Sequence, residues 1–560
     1  MPPDAPAQPA RPRHRGAIQW GTMQWGAMRR GAMRRARLCL ALLAPFCAAP
    51  AGAEDIPLPR FRPVDAPHHV YAGGWEHFVG GGLAAFDCDG DTLPELFAAG
   101  GANPGQLLRN RSTPGGALRF VADTPPALAE TGITGAYPLD LDSDGWQDLV
   151  LLRAGENRIL KGGPDCRFAA FADLGSDLSG GDRWTTAFAA TWEPGQTLPS
   201  LAFGNYVDRS DPDGPFRACD DNLLFRPAAG SDPGGGPGYG APIRLTPGHC
   251  ALSMLFSDWA RQGRADLRIS NDRHYYVDDG QEQLWAMGDP PRLYTAEDGW
   301  QRHQIWGMGI AQRDLDGDGR AELFLTSMGD QRLQRLTDPA RPAYADAPYA
   351  LGTTAHRPYQ GDDGRPSTGW HVAFGDVQND GRDDIFIAKG NVDQMPGSAM
   401  ADPNNLLIAG PDGRFTEAGG QAGIASPHRG RGAVLDDLNR DGRLDLAVVN
   451  RRAPLEIWQN VTEGTGHWLG LALRQPPPNR DAIGAWVELE AGARRQHREW
   501  LVGGGHAGGR AGPEHFGLGR AETARLRVTW PDGTRSGWIE TPVNRYLTLI
   551  RDGTHTRIAP

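Results

Sequence analysis

Lysine is almost missing. It occurs only at Lys161 and Lys389 among 560 residues, and arginine carries the remaining positive charge. We read this as genome composition and attach no function to it. Cysteine is scarce too, at six residues, with no CxxC pair or Cys/His cluster that would point to zinc. GxSxG, HExxH and Walker loops are absent, which removes the most readable hydrolase, metalloprotease and nucleotide signatures. Beyond the N-terminal segment no run of eighteen apolar residues occurs, so no transmembrane helix is expected after signal removal.

That N-terminal segment reads as a leader. "MRRGAMRRARLCLALLAPFCAAPAGA" has a basic start, a short apolar middle and a small-residue site at Ala51-Gly52-Ala53. Residues 1–27 read as upstream sequence, with translation starting at Met28 or Met33. Residues 1–53 carry a net +7, and removing them leaves the rest at −18. So acidic a chain is a poor partner for nucleic acid and suits polyvalent cations. The expected location is secreted or periplasmic. There the remaining cysteines can pair, and we favour Cys88–Cys166 and Cys219–Cys250 among three possible pairings.

What the chain has in abundance is glycine, 76 residues, and one repeated acidic phrase. "RDLDGDGRAELFL" places Asp314, Asp316, Asp318 and Glu322 at positions 1, 3, 5 and 9 of a loop. The pattern recurs as Asp87, Asp89, Asp91, Glu95; as Asp140, Asp142, Asp144, Asp148; as Asp376, Gln378, Asp380, Asp384; and as Asp437, Asn439, Asp441, Asp445. Two degraded copies fill the gaps. One keeps Asp258, Gly263 and Asp266; the other, starting near Thr191, keeps little beyond Glu193. Apolar runs flank each loop, such as "LAAF" before and "ELFAAG" after, and read as buried strands. Seven units spaced by about 51 to 67 residues, each too small for its own core, predict an all-β seven-bladed propeller over residues 54–460.

Carboxylates at alternate positions of a tight loop converge on one centre, and oxygen-only ligands suit Ca2+ better than zinc or copper. Glycine at position 6, as in Gly145, Gly319, Gly381 and Gly442, permits the sharp turn. The closing acid at position 9 and the flanking strands exclude an EF-hand. The expectation is about five structural Ca2+ ions on 18 acidic side chains, coupled to folding.

Residues 461–560 read as a small β-sandwich or barrel, from "HWLGLAL", "AWVELEA", "RLRVTW" and "YLTLIR". "GGGHAGGRAGPEHFGLG" lacks the following helix a phosphate loop needs and reads as a packed glycine loop. His506 and His515 are expected to make structural hydrogen bonds rather than bind a ligand. Ser231–Pro242 reads as a flexible insertion. "NRS" at Asn110 and "NVT" at Asn460 match the glycosylation sequon.

These phrases carry a family likeness. The loops resemble the FG-GAP or VCBS repeats of integrin-α-type propellers. "GGGLAAFDCDGD", "GMGIAQRDLDGDGRAELFLTSMGD" and "GWHVAFGDVQNDGRDD" look like the cartilage-acidic-protein family and its bacterial relatives. The C-terminal segment is similar to the ASPIC/UnbV domain at Ile483-Gly484-Ala485, Gly503–His506, His515–Gly519 and Trp530–Gly533. The resemblance implies a secreted calcium-binding propeller that serves as a binding or adhesion module for a protein or glycan. It implies no established reaction. The alternative is an enzyme using the channel mouth, on polysaccharide or in secondary metabolism; a third reading is a periplasmic chaperone. A convergent pocket with an acid of perturbed pKa away from the metal would favour the enzyme.

Overall fold

The computed structural model describes residues 57–559 apart from 172–173, 175–176, 212–217, 229–237, 273–278 and 360–363. The leader, both candidate starts and most of the Ser231–Pro242 insertion lie outside the described residues.

Seven four-stranded antiparallel units follow one another along the chain; pairing of Arg183 with Gly155 and Trp184 with Ala154 joins the second and third into one eight-stranded sheet, and the first carries a fifth, parallel strand. Their first strands are Leu83–Phe86, Ile133–Leu139, Arg183–Thr191, Ala251–Ser257, Gly307–Arg313, Gly369–Gly375 and Arg429–Asp436. Each packs against the first strand of the next sheet, and the seventh packs against the first. The sheets therefore form a closed ring of seven blades. Both faces of a blade are covered by neighbours, so the inner strands need continuous apolar runs rather than alternation. Leu83–Phe86 is buried throughout. The cores lie between blades: Phe188 and Phe203 of the third blade pack with Leu139 and Val150 of the second.

The ring closes through its ends. Phe61–Val64 pairs antiparallel with Glu456–Asn460 and supplies the outer strand of the seventh blade. Two disulfides are present. Cys88–Cys166 ties the first blade to the second with Cα atoms 4.7 Å apart, and Cys219–Cys250 ties the third to the fourth at 4.8 Å. Each should contribute about 3–5 kcal/mol by restricting the unfolded chain.

From His467 onward the chain builds two more four-stranded sheets. One holds His467–Arg474, Glu514–Gly519, Arg545–Asp552 and His555–Ile558; the other holds Trp486–Ala491, Arg494–Glu499, Thr523–Thr529 and Ile539–Pro542. They enclose a core that includes Leu471, Val487, Phe516 and Val528. Among the described residues no helix is long and apolar enough to cross a membrane.

The glycine-rich segment between these sheets enters the ring. Gly504 N–H donates to Met254 O at 2.6 Å, Gly505 N–H to Ile310 O at 2.7 Å, and Ala136 N–H to Ala507 O at 3.0 Å. Arg510–Ala511 pairs parallel with the first inner strand at Ala85 and Phe86. The segment thus hydrogen-bonds to inner strands of several blades and plugs the channel. Only glycine permits the approach. A Cβ on Gly82 would lie 1.7 Å from Ala507 O, and one on Gly508 2.2 Å from Leu83 O. His506 sits at the tip, fully buried. Its Nε2 accepts from Gly80 N–H at 3.3 Å, and its ring meets Trp370 edge-on at 5.0 Å. The channel is therefore filled and cannot itself present a ligand surface along its length.

Burial, helped by the nearby Arg431 charge, pushes His506 down to about 3; burial pushes His371, which accepts the His506 N–H at 3.1 Å, down to about 4. Both folded values lie below the unfolded value near 6.5. Their contribution is therefore complete above about pH 6.5 and is lost as pH falls from there toward 4, at up to about 1.4 kcal/mol per pH unit per histidine. In denaturant unfolding between pH 7 and 5, the parent should lose stability relative to His506→Gln as pH falls, because only the parent carries the depressed imidazole. Equal slopes would contradict a neutral buried plug histidine.

Candidate metal loops

Each acidic loop joins the first strand of a blade to the second, so all seven lie at one face of the ring. Register fixes their alignment. Phe86 pairs with Glu95, Leu139 with Asp148, Arg313 with Glu322, Gly375 with Asp384 and Asp436 with Asp445. Position 1 follows the first partner of each pair. In the third blade the matching pair is Thr191 with Ser200. Its loop therefore starts at Trp192, one residue later than the apolar flanks suggest, and Glu193 is not at a ligand position.

The first-position carboxylate organises the loop. Asp314 Oδ1 and Oδ2 accept the Gly317 and Gly319 N–H at 2.8 and 2.9 Å. Asp376 likewise accepts from Asp380 at 3.0 Å and Gly381 at 2.6 Å. Gly319, Gly381 and Gly442 have φ near +88°, +86° and +85°, and Thr92 carries the same turn at +76° in the first loop. Fifth-position acids turn toward the position-7 N–H: Asp91 accepts from Leu93 at 2.8 Å and Asp441 from Arg443 at 2.9 Å. The ninth-position acid spans two elements. Asp445 accepts from Leu438 N–H within the loop at 3.0 Å and from Asn460 N–H of the third strand at 2.8 Å. Asp148 does the same with Leu141 and Gly162.

Oxygens of positions 1, 3 and 9 converge. Those of Asp87, Asp89 and Glu95 lie within 4.8 Å of one another, as do those of Asp140, Asp142 and Asp148, and of Asp314, Asp316 and Glu322. In the sixth and seventh loops the third position is an amide. Gln378 donates its Nε2 to Pro57 O at 3.0 Å, and Asn439 its Nδ2 to Gly116 O at 2.6 Å. Their carbonyl oxygens, with Asp140 Oδ1, are buried and meet no hydrogen-bond donor among the described residues. Burial also raises the carboxyls: Glu95 and Asp148 to about 8, Glu322 to about 7, and Asp376, Asp384 and Asp445 well above the usual range. Oxygen-only donors with partnerless buried oxygens suit a hard divalent cation.

Basic side chains offset part of this charge. Arg109 reaches Asp89 at 2.7 Å, Lys161 reaches Asp144 at 2.8 Å, and Arg382 reaches Asp380 at 2.7 Å. The degraded loops are satisfied without a metal. In the fourth, Asp266 accepts from Trp259 Nε1 at 2.9 Å and Tyr294 OH at 2.8 Å. In the third, Arg226 grips Glu193 with Nε at 2.7 Å and Nη2 at 3.0 Å.

The C-terminal sheets cover this face. His497 Nδ1 hydrogen-bonds Asp314 Oδ2 at 2.7 Å, Tyr546 OH donates to Asp437 Oδ2, and Arg498 pairs with Asp383 at 3.1 Å. The sequence motif gives no sign of these partners, because they come from a separate part of the chain. Two sequon asparagines also turn out to be structural. Asn110 and Asn460 are buried. Asn110 Nδ2 donates to Leu438 O of the adjacent blade's loop at 2.8 Å, and Asn460 Nδ2 to Val377 O at 2.9 Å. Their oxygens accept the Ser112 and Thr462 N–H. Neither amide is available for glycosylation; both latch neighbouring blades. His515, whose Nε2 meets Gly442 O at 3.1 Å, is likewise structural.

Replacing Arg226 with Met should leave Glu193, about one-fifth exposed at its side chain, held by the Ser200 hydroxyl at 2.6 Å without a countercharge, and cost about 1–3 kcal/mol. The double change Arg226→Met/Glu193→Gln should recover part of that loss in chemical denaturation. No recovery would show that Arg226 acts through its bonds to Met287 and Gly288 carbonyls instead.

Residues 87–151 match the FG-GAP-like repeat, and residues 475–556 match ASPIC and UnbV. The chain is 27% identical to Cartilage acidic protein 1 of Homo sapiens over 191 residues, 32% of this chain and 26% of that protein. It is 26% identical to the Mus musculus protein over 236 residues, 40% and 34% of the two chains. The match thus spans about a quarter to a third of the length of these relatives. Among solved structures, BBS1N in complex with ARL6DN aligns at 10% identity and a TM-score of 0.42, over 72% of this chain and 99% of that one. The chain therefore joins an FG-GAP-like repeat to an ASPIC and UnbV segment, and it is similar to the cartilage acidic proteins.

Proposed function

We propose that this chain is an exported Ca2+-stabilised propeller that serves as an extracellular or periplasmic binding or adhesion module. The observation that carries the calcium reading is the set of partnerless buried oxygens at Asp140, Gln378 and Asn439, inside loops whose other carboxylates are drawn together. Asp87, Asp140, Asp314, Asp376 and Asp437 would anchor the ions, and the ninth-position acids would carry the restraint to the third strands. The ion would supply charge neutralisation at the seam between ring and C-terminal sheets. The two disulfides fit an oxidising compartment. The FG-GAP-like repeat at residues 87–151 supports an adhesion-type role by its likeness to integrin-α-type propellers.

A second reading, an enzyme at the channel mouth, has one specific observation behind it. A cavity of 470 Å3 opens there, and burial raises its carboxyl Asp272 to about 7.

Thermal unfolding in EDTA and then in calcium tests the first reading. Each site filled at hundredfold excess over its dissociation constant adds about 2.7 kcal/mol, so the melting temperature should climb steeply with calcium. Asp376→Asn should lose part of that rise, read as a smaller calcium-dependent increment over its own EDTA melting temperature. An unchanged melting temperature across the titration would refute the calcium reading.

A further inference from the structure

The cavity lies opposite the acidic loops, where the second strands end and the first strands begin. Trp75, Phe78, Tyr206 and Trp370 line it with Met308 and Met328. The rings are mutually packed: Phe78 lies 5.6 Å from Trp184 and 5.8 Å from Tyr206, and Trp75 lies 4.7 Å from Phe78. Trp75 is 40% exposed at the rim. Such a cavity is of a size that accepts a small organic molecule.

Its charge is lopsided. Arg429, Arg451 and Arg452 all converge on one carboxylate, Asp393, at 3.5, 3.7 and 3.1 Å. Arg451 is buried, and its Nε has no hydrogen-bond partner among the described residues. Behind them the fully buried Arg431 stacks 3.9 Å from the Trp370 ring. It donates to backbone carbonyls, including Phe78 O and Val392 O. Four guanidiniums therefore share one acid at this edge. At the other edge Asp272 is held by the Tyr206 hydroxyl, and Glu76 is occupied by Arg209 at 2.7 Å. Buried arginine without a matching anion is costly, and a ligand carboxylate would relieve it.

We propose that this cavity binds a small organic acid, with its apolar or aromatic body among the Trp, Phe, Tyr and Met side chains and its carboxylate toward Arg451 and Arg452. Aromatic walls supply apolar contact area and the arginines supply orientation. The plug touches this site through Trp370, a cavity-lining ring that His506 meets edge-on at 5.0 Å. This site is independent of the calcium loops, and its test does not depend on metal.

Calorimetry and tryptophan fluorescence on the full chain with naphthalene-2-acetate and decanoate, each against its neutral amide, tests the proposal. The acids should bind at least tenfold more tightly than the amides. Arg452→Gln, at a half-exposed side chain, should weaken the acids about fivefold or more and leave the amides unchanged. Trp75→Ala should weaken all four probes. Arg452→Gln should keep the parent melting temperature, Trp75→Ala should stay folded at the assay temperature by circular dichroism, and Arg320→Gln on the opposite face should bind like the parent. No binding of either acid at millimolar concentration, amides binding as well as acids, or acid affinity unmoved in Arg452→Gln would each overturn it.

Discussion

Carboxylates buried at the seam between the ring and the C-terminal sheets govern the rest of the structure. Each good loop folds around its first-position acid, which gathers two or more loop N–H groups in four loops and the Gly145 N–H alone at Asp140, and is fastened to its blade by the ninth-position acid. Asp445 shows the logic: one oxygen holds Leu438 in the loop and the other holds Asn460 in the third strand. Asn460 then reaches across to the next loop at Val377. The acids thus set both the loop and the contact between blades. Their burial is costly unless positive charge enters the loops. Arg109, Lys161 and Arg382 supply some, and the oxygens of Gln378 and Asn439 that meet no donor mark where it falls short.

The plug is the second constraint. A ring of seven inner strands leaves an open channel, and Gly503–Gly509 fills it with backbone. The approach to Gly82 and Leu83 excludes even a methyl group. This joins the C-terminal sheets to the ring through main-chain hydrogen bonds as well as through His497 and Tyr546 on the loops. It also separates the two faces. The acidic face is covered and serves cohesion; the opposite face keeps an aromatic cavity with a guanidinium edge.

Much of this was legible in the sequence because it repeats. The acid spacing and its apolar flanks located the inner and second strands and the seven units, and pairing cysteines that are local in sequence or in adjacent repeats gave both disulfides. What escaped depends on contacts distant in sequence. Phe61–Val64 completes the seventh blade from the far end of the chain. Arg494–Glu499, "RRQHRE", carries no apolar run, because His497, Arg498 and Glu499 are buried by polar partners on the ring. The sequons at Asn110 and Asn460 are indistinguishable by pattern from glycosylation sites; only burial shows that their amides are spent on neighbouring blades. Trp192 displaced Thr191 at the third loop because, without acids to mark position 1, only strand register defines it. The glycine-rich segment showed that something must approach closely, but not what.

The most direct measurement is the number of ions held by the folded chain. Native mass spectrometry of residues 54–560, stripped with EDTA and returned to calcium, should show five Ca2+ bound. The count should fall by one in each of Asp87→Asn, Asp140→Asn, Asp314→Asn, Asp376→Asn and Asp437→Asn, and stay unchanged in Asp258→Asn. A chain that folds and binds no calcium, or whose count ignores these five changes, would contradict the account.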